Sequence, residues 1–440
     1  MVTFNQVLPS VVRVCEDTPG MLDLKACCVV RDLRGRIRLV LKPDVGANIQ
    51  VNAEALAKSL TAELGAYFVA PIWSTVAGKP NEARLANEVF NHAQVWVDAT
   101  YDDPGIGQSG LASGVRWFKY ERRLSKQEWL EPAQPTAPPW PLGASQPAIV
   151  TFYSFKGGVG RTTALVACAW QLAKRGKQVV VIDLDLEAPG LGALLGAEGA
   201  RGVVDYLIDY LATGASDLTD LVAPSAALGN EVRVLSAGTL DARYLEKLGR
   251  LDFLGGQEGE KGSPIEQALL ELLRSLMKLT PRPDYILIDS RAGLHDLAGL
   301  SLHRLAHVDV LVSRAAEQGY RGLDLTVSSL VKRKGLEQFQ CILVHTMAPT
   351  AGLPEAVHEE REFLERSYQT FGKHVYLDAQ KQTITLDDTT AAHTPIVVRR
   401  DVRLERFASL GPIEGAFFAE GYRTLLSRVE GLCDPQGQNQ

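Results

Sequence analysis

The chain has 440 residues, and its 46% hydrophobic and 22% charged content is that of a globular protein rather than a disordered or fibrous one. A net charge of −6 argues against a globally nucleic-acid-binding protein. The six cysteines form no CxxC pair and no Cys/His set with zinc spacing, so we expect reduced thiols in a cytoplasmic protein. No apolar run approaches the roughly 20 residues that a membrane span needs, and we expect neither secretion nor integral membrane insertion.

A proline-rich segment divides the chain. Residues 132–147 read PAQPTAPPWPLGASQP, which predicts an extended linker. Before it we predict a small α+β domain over residues 1–131, with a helix over 53–64 and strands over 26–31, 36–42, 68–73 and 94–98. Its closing stretch, 115–123, mixes aromatic and basic residues, and we interpret it as a strand rather than a nucleic-acid stacking patch. The small size of this domain and the linker that follows it are the only features that indicate its role, which we expect to be that of a sensor or a partner-binding domain.

After the linker, over residues 148–432, short apolar strands alternate with helical patterns. The strands are predicted at 148–153, 178–183, 232–236, 284–289, 308–313 and 341–345, and the helices at 163–176, 265–279, 323–334 and 355–368. This alternation predicts an α/β fold, a doubly wound and mostly parallel sheet whose ligands bind at the carboxyl ends of the strands. Residues 433–440 are expected to form a flexible tail.

A glycine-rich loop carries the clearest chemical signal. Residues 155–163 read FKGGVGRTT and stand between the first of these apolar strands and a helical pattern. A strand, a glycine turn and a helix start direct several backbone N–H groups and the positive end of a helix dipole to one point, which suits a phosphate chain. The hydroxyl of Thr162 can hold Mg²⁺. The loop therefore predicts a nucleotide site.

Acidic residues follow two of the apolar strands. Asp183 and Asp185 end one strand and Asp289 ends another. Such acids can hold Mg²⁺ through water or orient the water that attacks a γ-phosphate, although a single acid of this kind is more often a helix cap. A dinucleotide-binding unit is the nearest mimic, but its third glycine would fall at Thr163, and Lys156 before the glycines favours a triphosphate.

The loop and these acids resemble the ParA/MinD family of deviant Walker A ATPases, which carry KGGxGK[ST]. The resemblance covers about residues 148–432 and implies an ATP-binding protein that uses Mg²⁺ and forms an ATP-dependent homodimer. It implies that Lys156 reaches across the dimer, that Asp185 orients the attacking water, and that Asp289 is the Walker B acid. The nucleotide-binding residues would be Lys156, Gly157, Gly158, Val159, Gly160, Arg161, Thr162, Thr163 and Gly293. Those at the metal would be Thr162, Asp183 and Asp289, and the turn from Asp289 to Gly293 would act as a switch.

The chain departs from the family pattern within the loop. Arg161 stands where the family has its in-loop lysine, giving KGGVGRTT. Arginine keeps the charge but replaces a compact ammonium with a wide planar fork. We therefore expect Arg161 to take part in catalysis, with hydrolysis slow or dependent on a partner. The alternative is a non-hydrolysing, nucleotide-gated binding module, as in a bacterial stress or defence system.

Other segments carry weaker signals. Arg291, after the Asp289 strand, is expected to contact either phosphate or a structural acid. The basic runs at 332–334 and 399–406 are interpreted as solvated helix faces, with weak, non-specific DNA contact left open. The amphipathic stretch 413–432 is interpreted as a core helix. The loop through Thr394 and Pro395 is a base-contacting candidate by resemblance only. The protein partner has no sequence signature.

Overall fold

The structure is a computed structural model, and it describes residues 2–44, 50–76, 80–95, 116–123, 125–130, 137–143, 145–197, 201–251, 263–376, 383–405 and 410–434. The chain forms two compact units, Met1–Leu124 and Ser125–Gln440. None of the helices within the described residues has the length and apolar character needed to cross a membrane.

The N-terminal unit is a five-stranded sheet with helices on both faces. Its helices are α1 (Phe4–Glu16), α2 (Ala53–Leu64) and α3 (Pro80–His92). Its strands are β1 (Leu24–Arg31), β2 (Ile37–Pro43), β3 (Trp73–Ser74), β4 (Gln94–Val95) and β5 (Arg116–Glu121), in the spatial order β3-β2-β1-β5-β4. Strand β1 is antiparallel to β2 and parallel to β5.

Side-chain alternation along β1 builds the two layers of this unit. Cys27 and Val29 pack in a core with apolar residues of α1 and α2, whereas Cys28 packs on the other face in a smaller cluster that includes Ala86 of α3. Strand β5 follows the same rule: Trp117 joins the larger core, and Phe118 meets the ring of Phe90 edge-on at 5.6 Å. The aromatic side chains of this strand therefore pack on both faces of the sheet.

The second unit is built on an eight-stranded sheet. Its strands are β6 (Ala148–Tyr153), β7 (Val179–Leu184), β8 (Ala223–Ser225), β9 (Gly229–Leu235), β10 (Tyr285–Ser290), β11 (Val308–Ser313), β12 (Cys341–Ala348) and β13 (Ile396–Arg399). Their spatial order is β13-β12-β11-β6-β10-β7-β9-β8, and every pairing is parallel except that of β8 with β9.

Helices cover both faces of this sheet. They are α4 (Gln127–Leu130), α5 (Arg161–Lys174), α6 (Leu191–Leu195), α7 (Val203–Thr213), α8 (Ala242–Leu251), α9 (Pro264–Met277), α10 (Asp296–Leu300), α11 (Glu317–Lys334), α12 (Pro354–His374), α13 (Glu414–Phe417) and α14 (Glu420–Cys433). The core on one face includes residues of α5 and α14, and the cores on the other include residues of α7, α9, α11 and α12. The predicted doubly wound, mostly parallel fold is confirmed.

Several predicted boundaries differ from those of the structure. The compact units divide between Leu124 and Ser125, so α4 belongs to the second unit although we placed residues 1–131 in the first domain. Part of the predicted linker is packed: Trp140 is 5% exposed and its indole N–H donates to the Pro147 carbonyl at 2.8 Å. Residues 132–136 and 144 of that linker, and 435–440 of the predicted tail, lie outside the described residues.

Candidate nucleotide-binding site

The glycine loop lies at the carboxyl end of β6 and runs into α5. Gly158 and Gly160 adopt φ values of +71° and +84°, in the left-handed region that glycine enters without steric cost. A Cβ atom added at Gly157, Gly158 or Gly160 would meet nothing within 4 Å, so the loop has free space beside it. The first N–H groups of α5 have no acceptor within the helix. This is the form of an anion-binding cradle.

Two contacts fix the loop at its ends. The hydroxyl of Thr346, from β12, donates to the Val159 carbonyl at 2.6 Å. At the start of the loop, Phe155 lies so close to α11 that a Cβ atom on Gly322 would be 2.2 Å from its Cγ. Both supports come from elements far along the chain, so the loop depends on the folded sheet and helices for its position.

Beneath the loop, four side chains form one connected network. The Thr162 hydroxyl donates to Oδ2 of Asp289 at 2.6 Å. Arg161 donates through Nε to Oδ1 of Asp289 at 2.5 Å and through a terminal nitrogen to Oδ2 of Asp185 at 2.8 Å. Strand β10 lies between β6 and β7 in the sheet, which is why residues so distant in sequence meet here. The structure thus brings together four of the residues selected from the sequence.

Burial makes this network electrostatically strong. Arg161 is 8% exposed and Asp289 is 2% exposed. Burial acts to lower the pKa of Arg161, but Asp289 and Asp185 outweigh it and raise that pKa. Removing one member of such a buried charged group leaves the others uncompensated, at a cost of about 3 to 5 kcal/mol.

Asp183 has a different position from its neighbours. Its carboxylate accepts backbone N–H groups from Asp185, Gly190 and Leu191, each at 3.1 Å, so it fixes the turn after β7. Burial, followed by repulsion from Asp289, raises its pKa to about 7. Both oxygens are engaged with backbone, which leaves Asp183 poorly placed as a direct metal ligand.

The turn from Asp289 to Gly293, here called the switch turn, touches the start of the glycine loop. The Gly293 N–H donates to the Ser154 carbonyl at 3.1 Å, and the Tyr153 hydroxyl donates to the Gly293 carbonyl at 3.2 Å. Gly293 has φ +78°. Arg291 pairs with Glu187, so of the two contacts expected for it, the structure has the acid.

The remaining predicted residues of the loop line its open side. Lys156 is exposed, and Thr163 is half-buried in the first turn of α5. Sequence reasoning missed Ser154, whose buried hydroxyl has no hydrogen-bond partner among the described residues. It also missed Tyr244, whose hydroxyl donates to the Leu186 carbonyl at 2.5 Å after β7. A polar residue next to the loop could have identified Ser154, but nothing local to Tyr244 connects it with the site.

The first basic run, 332–334, is not the solvated face that we expected, because only Lys332 of its three residues is exposed. Arg333 and Lys334 are 3% and 4% exposed, and Lys334 donates to Oδ2 of the buried Asp309 at 2.5 Å, so this interpretation was wrong. The helix carries these cations into the core, where an acid compensates the ammonium group. In the second run, Arg400 pairs with Glu405, and Arg406 lies outside the described residues.

The second unit also buries several histidines and the apolar face of the amphipathic C-terminal helix. His307 is buried, where its Nδ1 accepts the Ile149 N–H at 2.9 Å, and His393 is fully buried. Within the described residues, no three His, Cys, Asp or Glu side chains are grouped as a metal site. Tyr422 and Leu425 of α14 are buried in the main core, as expected for a core helix. Thr394 and Pro395 line a groove of about 480 Å³ along β13, and their contact with a base stays a prediction.

Comparison with known proteins gives matches to part of the chain. A family model described as an AAA domain matches residues 147–197. The septum site-determining protein MinD of Buchnera aphidicola is 28% identical over 155 residues, 35% of this chain and 48% of that protein. The Helicobacter pylori MinD is 26% identical over 210 residues, 46% of this chain and 67% of that protein. The chain thus spans about half the length of the first of these relatives.

Among solved structures, MinD from Pyrococcus horikoshii complexed with Mg-ADP is 18% identical, with a TM-score of 0.40, and the match covers 66% of this chain and 96% of that one. The assignment of this chain depends on its loop sequence, its strand-end acids, its parallel sheet and its MinD relatives in sequence. By these features the chain is similar to P-loop ATPases of the ParA/MinD type.

Proposed function

We propose that the protein is an ATP-dependent molecular switch: it binds Mg-ATP, forms a homodimer while the triphosphate is bound, engages a protein partner, and resets by slow hydrolysis. The observation that carries the proposal is the network of Thr162, Asp289, Arg161 and Asp185 directly beneath an open glycine loop. Exposed Lys156 at the front of that loop is the residue proposed to reach the second subunit.

The residues fit a nucleotide. The free space beside Gly157, Gly158 and Gly160 is adjacent to the start of α5, where backbone N–H groups and the helix dipole favour phosphate oxygens. Ser154 contributes a buried hydroxyl without a partner among the described residues, at the point where the Gly293 N–H meets the loop. These groups would hold the phosphate chain, and Gly293 would report on its terminal phosphate.

The residues also fit Mg²⁺, a hard cation that prefers oxygen ligands and retains several waters. Thr162 and Asp289 already share a hydrogen bond, and their oxygens are the pair proposed to face the cation. We leave Asp183 out of this set because three backbone N–H groups occupy its carboxylate. When bound, Mg²⁺ would neutralise charge on the phosphates and so assist their cleavage.

Arg161 favours slow hydrolysis. In the network its guanidinium holds Asp185, the acid proposed to orient the attacking water. This contact restrains the Asp185 carboxylate and compensates part of its charge, so that Asp185 accepts a hydrogen bond from the attacking water less readily, and this opposes turnover. The same contact supports the second candidate, a binding module that never hydrolyses ATP. An Asp185→Ala variant separates the two: turnover that disappears while ATP binding survives establishes the hydrolysing switch.

Calorimetric titration of the full chain with ATPγS, with and without Mg²⁺, tests the nucleotide site. We expect Thr162→Ala to lose the Mg²⁺ dependence of binding and Thr162→Ser to retain it, because serine keeps the hydroxyl. Thr61→Ser is the matched control, since the Thr61 hydroxyl donates to the Ala57 carbonyl of its own helix in the N-terminal unit. Failure of the unmodified chain to bind ATPγS, or an unchanged Mg²⁺ dependence in Thr162→Ala, contradicts the proposal.

A further inference from the structure

We infer that residues 125–130, here called the clamp segment, are a built-in ligand of the region after the switch turn, with Trp129 as a positioning residue. The clamp segment would couple the nucleotide state to the N-terminal unit. The inference rests on the proposed function and extends it, because it names an internal regulator of the same site.

Polar contacts tie the clamp segment to the chain directly after the switch turn. The Trp129 indole N–H donates to the His295 carbonyl at 2.8 Å. The Asp296 carboxylate accepts the N–H groups of Lys126 at 2.6 Å and Glu128 at 3.4 Å. Asp296 is the first residue of α10. Asp296, on the helix that follows the switch turn, therefore binds the start of α4.

The two short helices fit closely. A Cβ atom on Gly299 of α10 would lie 2.6 Å from the Glu128 Cβ and 3.1 Å from the Trp129 Nε1, so only glycine allows this approach. Glu128 is 8% exposed and accepts from Arg304 at 2.9 Å, and Arg304 also reaches Glu266 at 3.0 Å. Any displacement of α10 would break several of these contacts together.

The same tryptophan reaches the strand that leads into the glycine loop. The rings of Trp129 and Tyr153 lie 6.0 Å apart. Tyr153 ends β6, and its hydroxyl donates to the carbonyl of Gly293, the last residue of the switch turn. Trp129 thus contacts both the strand that leads into the glycine loop and the chain that follows the switch turn. A nucleotide-dependent shift of Gly293 would change the environment of Trp129.

The position of the clamp segment in the chain gives these contacts their consequence. The N-terminal compact unit ends at Leu124, and the clamp segment begins at the next residue. When a partner binds the N-terminal unit, the binding free energy can shift the clamp segment towards one conformation. Because coupling between two sites is reciprocal, the nucleotide can in turn change the affinity of the N-terminal unit for that partner. The expected partner is a protein that binds the N-terminal unit with different affinities in the two nucleotide states.

Fluorine NMR on the full chain labelled with 5-fluorotryptophan tests the inference. The Trp129 resonance is assigned by its loss in Trp129→Phe. We expect it to shift when Mg-ATPγS replaces Mg-ADP, whereas the resonance of Trp140, which is buried against Pro147 and His307, stays in place. A static Trp129 resonance in protein shown by calorimetry to bind both nucleotides overturns the inference. Absence of nucleotide binding instead overturns the proposed function.

Nucleotide affinities give a second readout. Trp129→Phe retains a ring but removes the donor to His295, and we expect the ratio of ATPγS to ADP affinity to change about five-fold or more. Trp140→Phe is the matched control because it removes an equivalent indole donor elsewhere in the second unit. If both variants lose similar thermal stability and both keep the affinity ratio, Trp129 is merely structural and the inference fails.

Discussion

At the scale of single residues, Arg161 distinguishes this loop from the family pattern. Its planar fork is the reason that one side chain can bridge Asp289 and Asp185. The Arg161→Lys variant restores the family lysine, whose single ammonium group cannot make both contacts in this geometry. We expect it to lower the free energy of unfolding without nucleotide by about 2 kcal/mol, the scale of a hydrogen bond to a charged group. Asp185, released from the fork, should then raise ATP turnover.

Chemical denaturation and steady-state ATP turnover measure these two effects. Arg321→Lys is the matched control, because the Arg321 side chain is 77% exposed and pairs only across one helix turn with Glu317. An Arg161→Lys variant as stable as the unmodified chain, with equal turnover, would show that the bridge has no role in either property.

The burial of the His345 side chain predicts how the free energy of unfolding depends on pH. Its side chain is fully buried and stacks on Phe363 with ring centroids 4.3 Å apart. Burial lowers its pKa from 6.5 to about 4, so at neutral pH its contact with Glu359 is a hydrogen bond of neutral imidazole. The folded state binds the proton less well than the unfolded chain. The stability from this group is complete above pH 6.5 and is lost as pH falls towards 4.

The size of this effect follows from the two pKa values. When the pH falls from 7 to 4.5, we expect the free energy of unfolding to decrease by about 2 to 3 kcal/mol more in the unmodified chain than in the His345→Gln variant. Urea unfolding at both pH values measures this difference. His303, whose pKa is also lowered by burial, is present in both proteins and cancels in the comparison. Parallel losses in the two proteins would show that His345 does not titrate as the structure indicates.

At the scale of elements, two helical glycines should respond oppositely to alanine. A Cβ atom on Gly322 in α11 would be 2.2 Å from the Phe155 ring, whereas one on Gly372 in α12 would meet nothing within 4 Å. Gly322→Ala should displace the start of the glycine loop, weaken nucleotide binding and cost about 1 to 3 kcal/mol of stability. Gly372→Ala should be stabilising by about 0.5 to 1 kcal/mol. Thermal melts and nucleotide titrations of both variants measure these effects. Equal changes in the two variants would contradict the packing of Phe155 against Gly322.

The sequence predicted the elements of the parallel sheet well because buried parallel strands are continuous apolar runs. Strand β11 was predicted at its observed bounds, and α2 likewise. Three elements were nevertheless missed, α1, α3 and the edge strand β13, although α1 buries Val7, Leu8, Val11 and Val12 at helical spacing. The stretch 68–73 has a strand composition, but most of it forms no strand, and only a single bridge joins Phe68 to Ile37.

The glycine loop and its acids were predictable because their chemistry is local in sequence. The contacts that support them were not, since Thr346 and Val159 are separated by 187 positions and Trp129 and His295 by 166. The solvated interpretation of Lys334 failed for the same reason, because Asp309 reaches it only across the fold. Periodicity locates a charged residue on a helix but does not identify what packs against it.

At the scale of the whole molecule, the chain forms two compact units, and the clamp segment that we propose to couple them begins at the first residue of the second unit. The N-terminal unit has its own two-layered core, and no chemical signature in its described residues identifies its ligand. We propose that it acts through the clamp segment, which follows it directly in the chain. Whether the molecule is a switch depends first on whether it dimerises when ATP binds to the second unit.

Sedimentation velocity of the full chain with Mg-ATPγS, with Mg-ADP and without nucleotide measures whether the chain dimerises in response to the triphosphate. We predict a dimer with Mg-ATPγS only, and a Lys156→Ala variant that still binds ATPγS but stays monomeric because it lacks the side chain that reaches its partner. Lys58→Ala, which removes an exposed lysine from α2 of the N-terminal unit, should dimerise like the unmodified chain. A chain that remains monomeric when saturated with Mg-ATPγS, or a Lys156→Ala variant that dimerises normally, would contradict the account.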